Sequence, residues 1–414
     1  MNGVLSSLSP SRTVVTSFTP RKPSLPDSLT AFEEGDWVLC TTADTASGTV
    51  SCALSNGEVQ VYDQSRLHRV HTFQGADSTG SNHASSTNTV INDLICGPQH
   101  TIVTAGSDSQ IVVWDLRQGT AALRTSIPAG QSALSMSVGG FDGYLAAVAS
   151  DKARIHFMDL RQANSNLLGS YVDSHTDEVT QVHFQPGTSV LLSGAEDGLA
   201  CIFDTTQPTE EMALKSVMNV GTPLRHVGFC GADLSSVYCL TGSETASLWH
   251  WDSAVCQQDF GGNLLRERLV QPFGNRLAID YLVDAHWDVQ SQELLMMTGS
   301  ATGDAALFQL TERSPNFEPC HVLTNGHRGV VRAWSPLSSS MLITAGEDAR
   351  LCEWNRLGPQ AEQAPATVST PAASSSVDMN MNSSTSFSRS LAPTPGGGGP
   401  VRPQKRHKQS AHPY

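Results

Sequence analysis

A hydroxyl, an imidazole and a carboxylate are the groups of nucleophilic acyl transfer: the hydroxyl attacks, the imidazole takes its proton and the carboxylate orients the imidazole. The chain offers this set twice. His175, Ser193 and Asp197 form one trio, and His327, Thr344 and Asp348 repeat the order at almost the same spacing, followed by Trp354. Repetition argues against catalysis, because an active site needs one trio whereas a structural device recurs with its repeat. No P-loop, GxSxG, HExxH or dinucleotide fingerprint accompanies either copy. The expectation is a protein that is not an enzyme and that carries no cofactor and no metal.

The elements that position such residues are short hairpins. Ile102–Arg117, IVTAGSDSQIVVWDLR, reads as two β-prone runs split by a Gly/Ser/Asp turn. Thr104, Asp108 and Trp114 are spaced by four and then six residues. The same register fits Cys52, Asn56 and Tyr62; Val148, Lys152 and Met158, in a degenerate copy; and Ser193, Asp197 and Phe203. It also fits Thr241, Thr245 and Trp251; Thr298, Thr302 and Phe308; and Thr344, Asp348 and Trp354. Seven copies result, with third positions 44 to 57 residues apart. One hairpin cannot bury its apolar faces alone, so a repeat of this stride predicts an all-β, seven-bladed propeller.

These hairpins and their terminal Trp-Asp pairs resemble the WD-repeat family, from about Thr13 to Asn355. The resemblance implies a hydrogen-bonded relay of His, strand Ser or Thr, turn Asp and closing Trp. His327, Thr344, Asp348 and Trp354 match it fully. His175, Ser193 and Asp197 match three roles with Phe203 in place of Trp, and Thr104, Asp108 and Trp114 supply the strand, turn and closing positions of the second copy. The fifth and sixth copies have Thr245 and Thr302 where the turn Asp is expected. The last repeat ends at Trp354-Asn355 with no fourth strand after it, so Thr13–Phe18 is predicted to close the seventh blade from the other terminus.

Composition bounds the partners. The 414 residues carry a net charge of −14, which disfavours direct nucleic-acid binding by the propeller. The nine cysteines are scattered without a CxxC pair and read as reduced, buried thiols. No secretory signal pattern opens the chain, and no stretch is apolar enough to span a membrane. Residues 1–12 read as a flexible N-terminus, 13–357 as the propeller and 358–414 as a disordered Pro/Ser/Gly-rich tail. Residues 75–89 and 256–275 read as insertions between copies. The tail ends in a basic cluster, Lys405, Arg406, His407 and Lys408, which is either a nuclear import signal or a solvated end able to touch RNA.

Two successive copies close on Asp-x-Arg: Asp115 with Arg117 and Asp159 with Arg161. These stretches resemble the box by which WD-repeat substrate receptors of cullin-RING ubiquitin ligases dock on their adaptor, although Met158 replaces the expected Trp. The other reading is that each Arg pairs with its neighbouring Asp at a blade edge. The order of features, from SNGEVQVYD through SHTDEVTQVHFQP to TAGEDARLCEW, resembles the WD repeat-containing protein 89 family. That resemblance implies a scaffold that binds other proteins in the nucleus or cytoplasm, as a monomeric propeller within a complex; ribosome biogenesis would suit an acidic body with a basic tail.

Overall fold

The computed structural model describes residues 6–15, 36–74, 90–162, 167–260, 279–311 and 314–356. The chain divides into two units, Met1–Glu362 and Gln363–Tyr414. The second unit, with the basic cluster, lies outside the described residues, as do 75–89, 261–278 and Thr16–Phe18.

The first unit is a seven-bladed β-propeller. Its described strands form seven sheets, one per repeat, antiparallel and in sequence order from the inner strand outward except where two N-terminal strands join the outer edges of the last two. The middle strands are buried on both faces: Thr101–Gly106 and Val190–Ala195 each carry five buried residues in a row. Outer strands alternate, as in Thr120–Ser126, because one side meets solvent.

Packing runs between blades. Among the described residues seven apolar clusters occur, and each joins two neighbouring blades. Ala53, Val59 and Phe73 of blade one meet Ile91, Ile102 and Trp114 of blade two. The ring closes where Val50, Leu54 and Tyr62 of blade one meet Ile343, Ala345 and Leu351 of blade seven. At that junction the Ser335 hydroxyl donates to the Thr41 carbonyl at 3.0 Å, and the Thr41 hydroxyl lies 2.9 Å from Ser335 Oγ.

The N-terminal segment ties the last two blades together. Arg12–Val15 pairs antiparallel with Arg350–Asn355 as the outer strand of blade seven. Ser6–Leu8 adds in parallel to Ser314–Leu323, making blade six five-stranded. Residues 1–12 are therefore not all loose: Ser6–Leu8 and Arg12 are held in sheets, and Leu8 is buried at the junction of blades six and seven. An exposed sheet edge is the driving force, since its unpaired amides and carbonyls accept a further strand.

One register differs from expectation. In every blade the turn between the second and third strands holds one residue at positive φ: Gly57, Ser109, Ala153, Gly198, Glu244, Gly303 and Ala349. Six of these follow the middle, turn position of the predicted register by one residue. In blade five Glu244 does not, and the strand pairing sets Trp249, not Trp251, opposite Val237. The true copy is Cys239, Ser243 and Trp249. Trp251 lies beyond the strand and donates its indole N–H to the Leu234 carbonyl at 2.9 Å.

Candidate functional site

In blade seven the relay is continuous. His327 precedes the inner strand Val331–Pro336, Thr344 sits in Met341–Gly346, Asp348 in the turn and Trp354 in Arg350–Asn355. His327 Nδ1 is 3.0 Å from Asp348 Oδ1, and Nε2 is 2.7 Å from Thr344 Oγ1. Trp354 Nε1 donates to the same hydroxyl oxygen at 2.8 Å. Asp348 Oδ2 accepts from the Arg328 amide at 2.8 Å. Burial works most strongly against a charged His327, but the hydrogen bonds and charges of Asp348 and Cys352 together outweigh it, and its pKa is raised to about 9. Burial also pushes the Asp348 carboxyl up most strongly, yet His327, the Arg328 amide and Arg350 together hold it below the usual carboxylate range. An imidazolium donating from both nitrogens leaves Thr344 Oγ1 as acceptor for two donors.

Blade four builds the same chain without its last member. His175 Nδ1 is 3.1 Å from Asp197 Oδ2, and Nε2 is 2.7 Å from Ser193 Oγ. Phe203 fills the Trp position and brings no donor. The segment leading to His175 is anchored by Glu210, whose carboxylate accepts the amides of Val172 and Ser174 and the Ser174 hydroxyl, at 2.6, 2.8 and 2.6 Å. Glu210 opens a one-turn helix, Glu210–Ala213, capped by Thr209. Nothing in the repeat pattern pointed to Glu210, because the helix lies outside the periodic strands.

Blade two is partial. Trp114 Nε1 donates to Thr104 Oγ1 at 3.2 Å, but Asp108 turns to its own hairpin and accepts from the Gln110 amide at 3.0 Å. Among the described residues no histidine bridges Asp108 to Thr104.

Ser193 and Thr344 have no accessible surface. A nucleophile must meet substrate, and neither hydroxyl can. The chemistry these groups perform is to hold the loop ahead of the inner strand, the second strand and its turn together in low dielectric.

A second polar set lines the inner strands and has no sequence signature. Asp93, Ser135 and Gln181 occupy equivalent positions in blades two, three and four, and each accepts a backbone amide of the next blade: Met136 at 2.7 Å, Val182 at 3.4 Å and Val227 at 3.1 Å. Gln181 Nε2 lies 3.1 Å from His226 Nδ1, which is 3.4 Å from Asp284 Oδ1. Burial pushes the Asp93 carboxyl up to about 6, against the pull of its amide donors.

The Asp-x-Arg residues stand at the opposite end of their strands from the Asp108 turn. Arg117 binds Asp115 through Nε at 3.1 Å and Nη2 at 2.9 Å. Arg161 binds Asp159 in the same way, at 2.9 and 2.7 Å, and also reaches Asp142 at 2.6 Å. Each arginine's hydrogen bonds hold its aspartate down at about 2. The two pairs are not separate features. Asp115, Arg117, Tyr144 and Arg161 line one open cavity of about 470 Å³ between blades two and three.

The family model described as "WD domain, G-beta repeat" matches residues 70–115 and 166–204. The chain is 30% identical over 317 residues to "WD repeat-containing protein GTS1" of Arabidopsis thaliana, covering 74% of this chain and 77% of that protein. It is 24% identical over 308 residues to "WD repeat-containing protein 89 homolog" of Dictyostelium discoideum, covering 74% and 79%. A chain of the solved "Crystal Structure of Mitotic Checkpoint Complex" superposes with TM-score 0.63 at 14% identity, over 85% of this chain and 93% of that one, a likeness of fold alone. Seven blades in one register, two buried relays and a likeness spanning three quarters of the Arabidopsis relative together place this chain in the WD-repeat family.

Proposed function

We propose that the protein is a non-catalytic interaction scaffold of a nuclear or nucleolar assembly, with ribosome biogenesis as the process its charge suits. A WD-repeat propeller is a rigid platform for protein interactions, and its reactive-looking trios are the observation that carries the non-catalytic reading: Ser193 and Thr344 are sealed inside blades four and seven. The net charge of −14 favours basic partners, such as ribosomal or assembly proteins, over nucleic acid. Lys405, Arg406, His407 and Lys408 supply the import address in this reading. The test is affinity purification with mass spectrometry on the full chain and on Lys405→Ala/Arg406→Ala/Lys408→Ala. Preribosomal or chromatin proteins, lost in the variant, support the reading. A cytosolic partner set indifferent to the tail contradicts it.

A second reading is favoured by one observation, the meeting of Arg117 and Arg161 at a single groove. In it the protein is a substrate receptor of a cullin-RING ubiquitin ligase, docking on the adaptor through Asp115, Arg117, Asp159 and Arg161. Adaptor binding should vanish in Arg117→Ala/Arg161→Ala while the melting temperature stays within a few degrees, because exposed ion pairs contribute about 1 kcal/mol or less. Undiminished adaptor binding, or none in the wild type, rules it out.

A further inference from the structure

Beside the Asp-x-Arg groove stands the most exposed large apolar side chain among the described residues, Phe141, at 101% relative exposure. It is the tip of the hairpin joining Ala133–Gly139 to Leu145–Ser150 in blade three. The hairpin is braced. Gly140 and Gly143 take φ of 78° and 73°, and the Gly143 amide donates to the Gly140 carbonyl at 3.3 Å. Asp142 accepts the Tyr144 amide at 3.3 Å and pairs with Arg161 at 2.6 Å. The Arg161 guanidinium lies 5.2 Å from the Tyr144 ring centroid, and Gln99 of blade two donates to the Tyr144 hydroxyl at 2.6 Å.

We propose that Phe141, Tyr144, Arg161 and Arg117 form one protein-docking surface, whose partner presents an apolar socket rimmed by carboxylates. Phe141 is the anchor that enters the socket. Aromatic and arginine side chains concentrate interface energy, and a braced hairpin loses little freedom on binding. Charge selects the rim. Arg117 and Arg161 expose 58% and 52% of their side chains, whereas Asp115 and Asp159 beneath them expose 7% and 13%; Asp142, which also pairs with Arg161, is 45% exposed on the hairpin. In a chain of net charge −14 the outward cationic group here is chiefly Arg117, whose carboxylate partner is buried beneath it, and it faces toward an acidic surface. The inference rests on the docking role of the Asp-x-Arg face, and not on the partner being a ligase adaptor.

The experiment uses the full chain in cells with p-benzoylphenylalanine at position 141, and at Val289, exposed in blade six, as a control. The expected result is a discrete cross-linked protein from position 141 only, joined at an apolar segment flanked by Asp or Glu. In purified form that partner should bind Phe141→Ser at least about tenfold more weakly than wild type. It should also lose affinity in Arg117→Ala/Arg161→Ala and in rising salt. A partner of this behaviour that is no ligase adaptor upholds the surface and removes the receptor reading. Adaptor capture lost in the arginine variant, with no cross-link from 141, upholds the receptor reading and overturns the surface. No cross-link above the control, or one to a segment without carboxylates and indifferent to the arginines, also overturns it.

Discussion

Arg12 and Glu353, 341 residues apart, form the clasp at which the ring is shut: Arg12 Nε is 3.0 Å from Glu353 Oε1, and Nη2 is 2.9 Å from Oε2. Glu353 is buried at 1% exposure, and Ser11 Oγ donates to the same carboxylate at 2.9 Å. A carboxylate at that depth needs its partners, so the outer strand of blade seven is held by charge as well as by its ladder.

Arg12→Ala should therefore cost more than the neutralising change Glu353→Gln. About 1–3 kcal/mol is expected for the first, reduced from a fully buried pair because Arg12 is partly solvated. The double variant should be more stable than Arg12→Ala alone. Denaturant melts of the three variants check this, and additive losses would mean that the two side chains do not interact.

The blade-seven relay makes stability depend on pH in a stated direction. The folded pKa of His327, about 9, lies above the ordinary histidine value near 6.5. Its contribution is whole below about pH 6.5 and is lost as pH rises towards 9. Asp348 is held below its ordinary range, so its contribution is present above about pH 4 and fades in stronger acid. The melting-temperature gap between wild type and Asp348→Asn should be widest near pH 5–6 and shrink by pH 9. A gap constant across that range would contradict a charged His327.

Two glycines with left-handed φ should respond very differently to alanine. A Cβ on Gly303, φ +95°, would lie 2.5 Å from the His327 carbonyl oxygen, whereas one on Gly187, φ +70°, meets nothing within 4 Å. Gly187→Ala should cost about 1 kcal/mol, from backbone strain alone. Gly303→Ala should cost several times that, since the turn of blade six must back away from the blade-seven relay. Calorimetry of the two variants decides, and equal losses would refute the close approach of blades six and seven at His327.

The blade count was legible because each repeat writes its turn and closing large apolar residue, aromatic in all but blade three, at fixed offsets, and those positions are fixed by packing. Blade five misled by two residues, since Trp249 and Trp251 both end β-prone runs and Thr241 and Thr245 mimic the register; the left-handed Glu244 and the pairing of Trp249 with Val237 separate them. Ser6–Leu8 was illegible because a three-residue edge strand takes its order from the sheet that recruits it. Asp93 and Gln181 were illegible for another reason: their partners are backbone amides of the next blade, and amides leave no mark in a sequence. Phe141 stood unremarked between two glycines, where only the fold shows that nothing covers it.

Closure from the N-terminus is tested most directly by thermal melting of two truncations, one lacking residues 1–15 and one lacking 363–414. Removing 1–15 strips Arg12–Val15 from blade seven and Ser6–Leu8 from blade six, and should lower the melting temperature by several degrees or prevent folding. Removing 363–414 should leave it unchanged. Equal effects of the two cuts, or a wild-type melt without residues 1–15, would contradict a ring fastened by its first strands.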